Sequence, residues 1–107
     1  MSANKAPLVL TNGVVRSAVM HGRAAKAVRQ EACGLIFGAH DVGTRYVPMN
    51  NIAERPALNY AMSLREVGQA VQISREHGED LVAVVHSHPT SDALPSEADE
   101  AVDDHRP

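Results

Sequence analysis

An α/β domain built on a mixed sheet is what this sequence predicts, and three observations predict it. Short apolar runs bounded by turn residues, at Leu8–Leu10, Glu31–Gly38 and Leu81–Val85, read as strands. Two longer stretches, 14–30 and 63–78, carry apolar residues at helical spacing. The two kinds of segment alternate along the chain, and that alternation marks a layered α/β sheet. The 107 residues fit one domain, expected to span 1–107, and 44% of them are hydrophobic but only 3% aromatic. Its core is therefore expected to consist of Val, Leu, Ile, Ala and Met.

Taken in order, Leu8-Val9-Leu10 is a first strand and Asn12-Gly13 a turn. From Val14 to Gln30 an amphipathic helix is expected, with Val14, Val15, Ala18, Val19, Ala25 and Val28 on its apolar side. Glu31–Gly38 is short, apolar and closed by glycine, which suits a buried strand. His40 to Thr44 reads as a hairpin-like turn, and Arg45 to Asn50 as a further strand that Pro48 assigns to an edge. Asn51 to Tyr60 is irregular. Ser63-x-x-Glu66 has the capping-box pattern, so a second helix should start there, bury Leu64, Val67, Val71 and Ile73, and stop at Gly78. Leu81–Val85 is continuous and rich in β-branched residues, the pattern of a central strand covered on both faces. Ser96 then opens a third helix that the acidic run to Asp104 continues.

Charge and composition exclude several function classes. The formal net charge is −3 and no basic stripe is interleaved with aromatic residues, which disfavours nucleic acid. No apolar run approaches membrane-spanning length, and no charged segment leads into an apolar signal region. Cys33 is the lone cysteine, so no intramolecular disulfide forms; a cytoplasmic protein is expected, with no membrane partner.

The chemistry-bearing residues gather after the last apolar strand. His86 and His88 project to one side of an extended backbone with their Cα atoms about 6.6 Å apart, close enough for two imidazoles to converge on one ion at about 2.0–2.1 Å. Pro89 biases His88 toward that extended geometry. A third, charged ligand is needed. Asp99 is the candidate, one turn into the helix that Ser96 opens, where residues three apart share a face. Three protein ligands leave the fourth zinc position to water, whose pKa then falls to about 7. Glu31, at the mouth of the first buried strand, is the candidate carboxylate to take that water's proton and return it to a leaving amine.

Each piece has a plainer reading. Ser96-x-x-Asp99 fits an ordinary capping box, His-x-His occurs as a surface pair, and Glu31 alone is an acidic residue between helix and strand. The combination favours the metal: His86-x-His88-Pro89 closes an apolar strand, and a serine and an aspartate follow at fixed separation. His21, His40, His77 and His105 have no spacing partner, and Cys33 reads as core.

His86-Ser87-His88-Pro89, followed by Pro89 to Pro95 and then Ser96-x-x-Asp99, resembles the signature of the JAMM/MPN+ metalloprotease family. Glu31–Gly38 is similar to that family's glutamate-bearing strand, and a fainter likeness runs from Val47-Pro-Met-Asn-Asn51 to Met62-Ser63. The resemblance covers most of the chain from about Val14 to Asp103. It implies a three-layer α/β/α fold similar to cytidine deaminase and Zn2+ held by His86, His88 and Asp99. Glu31 would act through the metal-bound water and Ser96 would hydrogen-bond the tetrahedral oxyanion. The implied reaction is hydrolysis of an amide or isopeptide bond after the C-terminal glycine of a ubiquitin-like protein.

The chain lacks the insertions of eukaryotic deubiquitinating members. That implies a compact prokaryotic-type member acting on a ubiquitin-like sulfur-carrier protein. Family domains continue past the aspartate helix with further strands, whereas this sequence stops at Pro107, so a C-terminally shortened sheet is expected and a homo-oligomer is one state open to it. The alternative is a non-catalytic MPN-type interaction module that still binds zinc. A small-molecule deaminase is disfavoured, because the Pro-Cys-x-x-Cys ligands of that class are absent.

Overall fold

The computed structural model describes residues 7–87. Their elements run β1 (Val9–Leu10), α1 (Asn12–Ala27), β2 (Cys33–Ala39), β3 (Val42–Met49), α2 (Leu64–Glu76) and β4 (Asp80–His86). The four strands form one mixed sheet in the order β1-β3-β2-β4, with β1 parallel to β3 and β2 antiparallel to both its neighbours. The expected α/β class holds.

The two helices cover opposite faces. Successive residues of a strand point to opposite sides. Tyr46 of β3 meets His21 of α1, its hydroxyl 2.6 Å from Nδ1, whereas the preceding residue, Arg45, donates from Nη2 to Ser74 Oγ of α2 at 2.6 Å. On the α1 side Val14, Ile36, Ala83 and Val85 form a buried cluster with Leu8, Leu10, Tyr46 and Val82 packed around it. On the α2 side lie Leu35 and Phe37, both fully buried, with the Arg45 guanidinium 5.1 Å from the Phe37 ring centroid and 2.9 Å from Glu79 Oε1.

Local chemistry sets the helix ends. Thr11 caps α1 by accepting from Val14 N, which draws Asn12 and Gly13 into the first helical turn instead of the turn expected of them. Both helices close with the paired bonds of a Schellman turn. In α1 Gln30 N reaches Ala25 O and Arg29 N reaches Lys26 O; in α2 Glu79 N reaches Ser74 O and Gly78 N reaches Arg75 O. The left-handed residue is Gly78 (φ 78°) after α2, as the sequence predicts, but Arg29 (φ 56°) after α1. The first helix accordingly ends short of Gln30.

Three expectations need correction. β4 is the outer strand of the described sheet, not a central one; β2 has neighbours on both sides and is buried from Cys33 through Gly38. An unbroken β-branched run cannot distinguish the two positions, because Ala83 and Val85 face the α1 core while Val82 and Val84 are also half-buried. β3 is longer than expected and lies between β1 and β2. Because β1 pairs only with Val42 and Gly43, Pro48 still stands where β3 has one described neighbour. In α2, Leu64 (89% exposed) and Ile73 (55%) face outward, and the inward stripe is Val67, Ala70, Val71 and buried Ser74. That stripe keeps the i, i+3, i+4, i+7 rhythm, and Ile73 falls outside it.

The register shifts of the sheet flank Phe37. Thr44 is the extra residue opposite β2 in β3 and Val82 the extra one in β4. At the other end the register is regular, and Cys33 lies opposite both Met49 and His86. Here β3 and β4 finish and β2 begins, so carboxyl ends of strands border one crevice, where ligands collect in α/β sheets.

A Cβ on Gly34 would run into the Tyr46 hydroxyl, since the phenol lies directly over that glycine. Gly34→Ala should therefore displace Tyr46 from His21 and cost about 1–3 kcal/mol, the usual range for overpacking. Urea denaturation measures it. A loss below about 0.5 kcal/mol would mean that the phenol swings aside freely, against the tight seat described here.

Candidate active site

Glu31 and His86 are brought together by strand register alone. Glu31 and Cys33 are two apart and share a face, and His86 stands directly opposite Cys33. Glu31 is thus the diagonal neighbour of His86, a relation that lets long side chains meet. His86 Nδ1 lies 3.8 Å from Glu31 Oε1. Just beyond the strands the register is clamped: Ser87 N donates to Ala32 O at 3.0 Å, and Ala32 N donates back to Ser87 Oγ at 3.2 Å. Ser87 is buried, so this reciprocal pair is shielded from water.

The Glu31 carboxyl is 3% exposed. The backbone that carries this carboxyl is held by a loop. Glu31 N donates to Pro56 O at 2.7 Å, and Glu31 O accepts from Asn51 Nδ2 at 2.9 Å. The same amide nitrogen donates to Asn59 O at 3.1 Å and approaches Pro56 O at 3.4 Å, while Asn51 Oδ1 accepts from Ala53 N and Ala61 N, both at 3.1 Å. One side chain thus bonds backbone groups of Glu31 and of four residues from Ala53 to Ala61, none of them in a helix or strand.

That loop delivers Tyr60 to His86. Their rings stack with centroids 4.7 Å apart and an interplanar angle of 17°, an arrangement that contributes about 0.5–1.5 kcal/mol beyond its buried area. Cys33 borders the same crevice, fully buried, its thiol within 3.7–3.8 Å of the carbonyl oxygens of Asn50 and Met49. Burial pushes the Cys33 thiol up to about 11, and the negative charge of Glu31 adds to the effect. This cysteine is a packed thiol, as the sequence predicts, and not a nucleophile.

Of the five residues expected at the site, Glu31 and His86 are adjacent, while His88, Ser96 and Asp99 lie outside the described residues. Among the described residues no three His, Cys, Asp or Glu side chains gather as a metal group. The contributions of Tyr60, Asn51 and Ser87 were not anticipated from the sequence. The only signal for the first two was the faint likeness running from Val47 to Ser63. Among the described residues no helix is long and apolar enough to cross a membrane.

A family model described as prokaryotic homologs of the JAB domain matches residues 14–106. A protein named desampylase, from Haloferax volcanii, is 34% identical over 71 residues, 64% of this chain and 51% of its own length. A CysO-cysteine peptidase from Mycobacterium tuberculosis is 32% identical over 94 residues, 86% of this chain and 62% of its own length. This chain therefore spans about half to three-fifths of the curated relatives it matches. Among solved structures, the solution structure of protein DSY2949 from Desulfitobacterium hafniense superposes with a TM-score of 0.66 at 33% identity, covering 82% of this chain and 61% of the other.

The raised Cys33 pKa makes a signed prediction. The folded state holds the thiol proton above the ordinary value of 9.0, so this group lowers stability as pH rises from 9.0 toward about 11 and has no such effect below 9.0. Urea midpoints between pH 8 and pH 10.5 should fall more steeply for the parent than for Cys33→Ala. Parallel slopes would refute the assignment. At pH 8, with about one thiol in a thousand ionised, iodoacetamide should label Cys33 only after unfolding.

Proposed function

This chain belongs to the family of prokaryotic homologs of the JAB domain, and from that premise we propose that it is a zinc-dependent peptidase hydrolysing the amide bond after the C-terminal glycine of a ubiquitin-like sulfur-carrier protein. The observation that carries this reading is the buried Glu31 carboxyl beside the His86 imidazole, 3.8 Å from Nδ1, at the carboxyl ends of β3 and β4. The two relatives named as a desampylase and a CysO-cysteine peptidase support the substrate class. A cytoplasmic location goes with it, on the ground of the lone cysteine.

The residues suit zinc. His86 offers a neutral nitrogen donor whose ring is seated against Tyr60, and with His88 and Asp99 it would complete a two-nitrogen, one-carboxylate set that leaves one coordination position open. When bound, zinc supplies Lewis-acid activation of water. The chain's own groups do the rest. Glu31 receives the water's proton at its carboxylate and passes it to the departing amine, the same group serving as base and then acid. Its backbone, held at both N–H and C=O by the Asn51 loop, keeps that carboxylate in place. Ser96 donates from its hydroxyl to the oxyanion that develops on the scissile carbonyl.

The test pairs metal content with turnover. Offered a sulfur-carrier protein bearing a C-terminal extension, the zinc-loaded chain should release the extension, as mass spectrometry reads. Glu31→Gln should keep about one zinc per chain and lose about 10²-fold or more in rate, the range for removing a general base. His88→Ala should lose the zinc. Cleavage by Glu31→Gln at the parental rate would overturn the role given to Glu31.

A further inference from the structure

The stack of Tyr60 on His86 is the feature of the crevice that the proposed chemistry leaves unused. His86 has its backbone fixed by pairing with Cys33 and by the Ser87–Ala32 clamp, but a histidine ring turns about two torsions that backbone pairing does not set. A histidine ligand's ring is usually oriented by a hydrogen bond from its second nitrogen. A packed aromatic face orients a ring as well. A near-parallel aromatic face at 4.7 Å does restrict its rotation. Tyr60 is itself held, because the residues on either side of it, Asn59 and Ala61, are tied to Asn51 through a carbonyl and an N–H.

We propose that Tyr60 is a positioning residue: its ring, held on the Asn51-tied loop, fixes the plane of the His86 imidazole and so sets the affinity of the site for zinc. The inference rests on His86 being a zinc ligand and extends that reading to a residue outside the proposed ligand set. Its physical content is preorganisation, since a ring already in its bound orientation loses less freedom when it takes a ligand. Because the effect comes from a flat face and not from the phenol oxygen, phenylalanine should substitute and an aliphatic residue of similar bulk should not.

Zinc dissociation constants measured by chelator competition for the parent, Tyr60→Phe and Tyr60→Leu decide it. Tyr60→Phe should stay within about twofold of the parent, and Tyr60→Leu should weaken binding about 10- to 100-fold, the span seen when groups orienting a ligand are removed. A second reading needs neither variant nor metal. In the metal-free parent, nuclear Overhauser contacts should join the Tyr60 and His86 ring protons, and the His86 ring protons should carry an upfield ring-current shift. The same zinc constant in all three proteins, or no ring-to-ring contact in the parent, overturns the proposal. A parent that binds no zinc overturns the metal reading and this inference with it, an outcome distinct from equal constants in all three.

Discussion

The antiparallel pairing of β2 with β4 is the constraint on which everything else depends. It places Cys33 opposite His86, and from that one register Glu31 becomes the diagonal neighbour of His86 on the same face. A slip by one residue would send His86 to the α1 face and leave Glu31 beside Val85 or Ser87. Two features resist the slip. The Ser87–Ala32 pair adds a buried two-bond clamp beyond the last strand residue, and the Ala83–Val85 face is committed to the core beneath α1. The extra residue Val82 takes up the mismatch at the far end, so the irregularity of the sheet lies away from the crevice.

A sheet can align two side chains but does not hold the chain that leads into it. That task falls to residues 51–61, where no repeating backbone pattern satisfies the polar groups and a single amide side chain takes over. The division is physically sensible. Strands give fixed spacing, while a loop can send N–H and C=O groups in several directions at once, here around the Asn51 amide. The same loop presents Tyr60, so the orientation of His86 and the anchoring of Glu31 depend on one residue, Asn51.

Much of this was legible in the sequence, for reasons that can be stated residue by residue. The apolar runs of β2 and β4 and the helical rhythm of α1 and α2 are local patterns, and the structure bears them out. The adjacency of Glu31 and His86 was anticipated from the motif, although the two are 55 positions apart. What escaped was decided by tertiary pairing. β4 reads the same whether central or outer, since its β-branched run says only that both faces are partly covered. Leu64 and Ile73 are apolar yet outward, because Ser74, a polar residue, takes the inward place by accepting from Arg45. Asn51 and Tyr60 belong to a stretch without periodicity, and bonds from one side chain to five backbone groups leave no trace in a hydropathy pattern.

The exclusion of water from Cys33 and Glu31 gives these arrangements a common sense. Cys33 keeps its proton because a thiolate there would be poorly solvated and would lie near the Glu31 charge. The environment that disarms the thiol is the one in which a carboxylate interacts most strongly with a nearby cation or a transferring proton, since field strength rises as water is excluded. Glu31 is fixed in that environment at its backbone, by Pro56 O and Asn51 Nδ2. The Asn51 loop thus contributes to the site by fixing the main chain from which the Glu31 carboxylate extends, so that the reach of this side chain toward His86 is set before any ligand arrives.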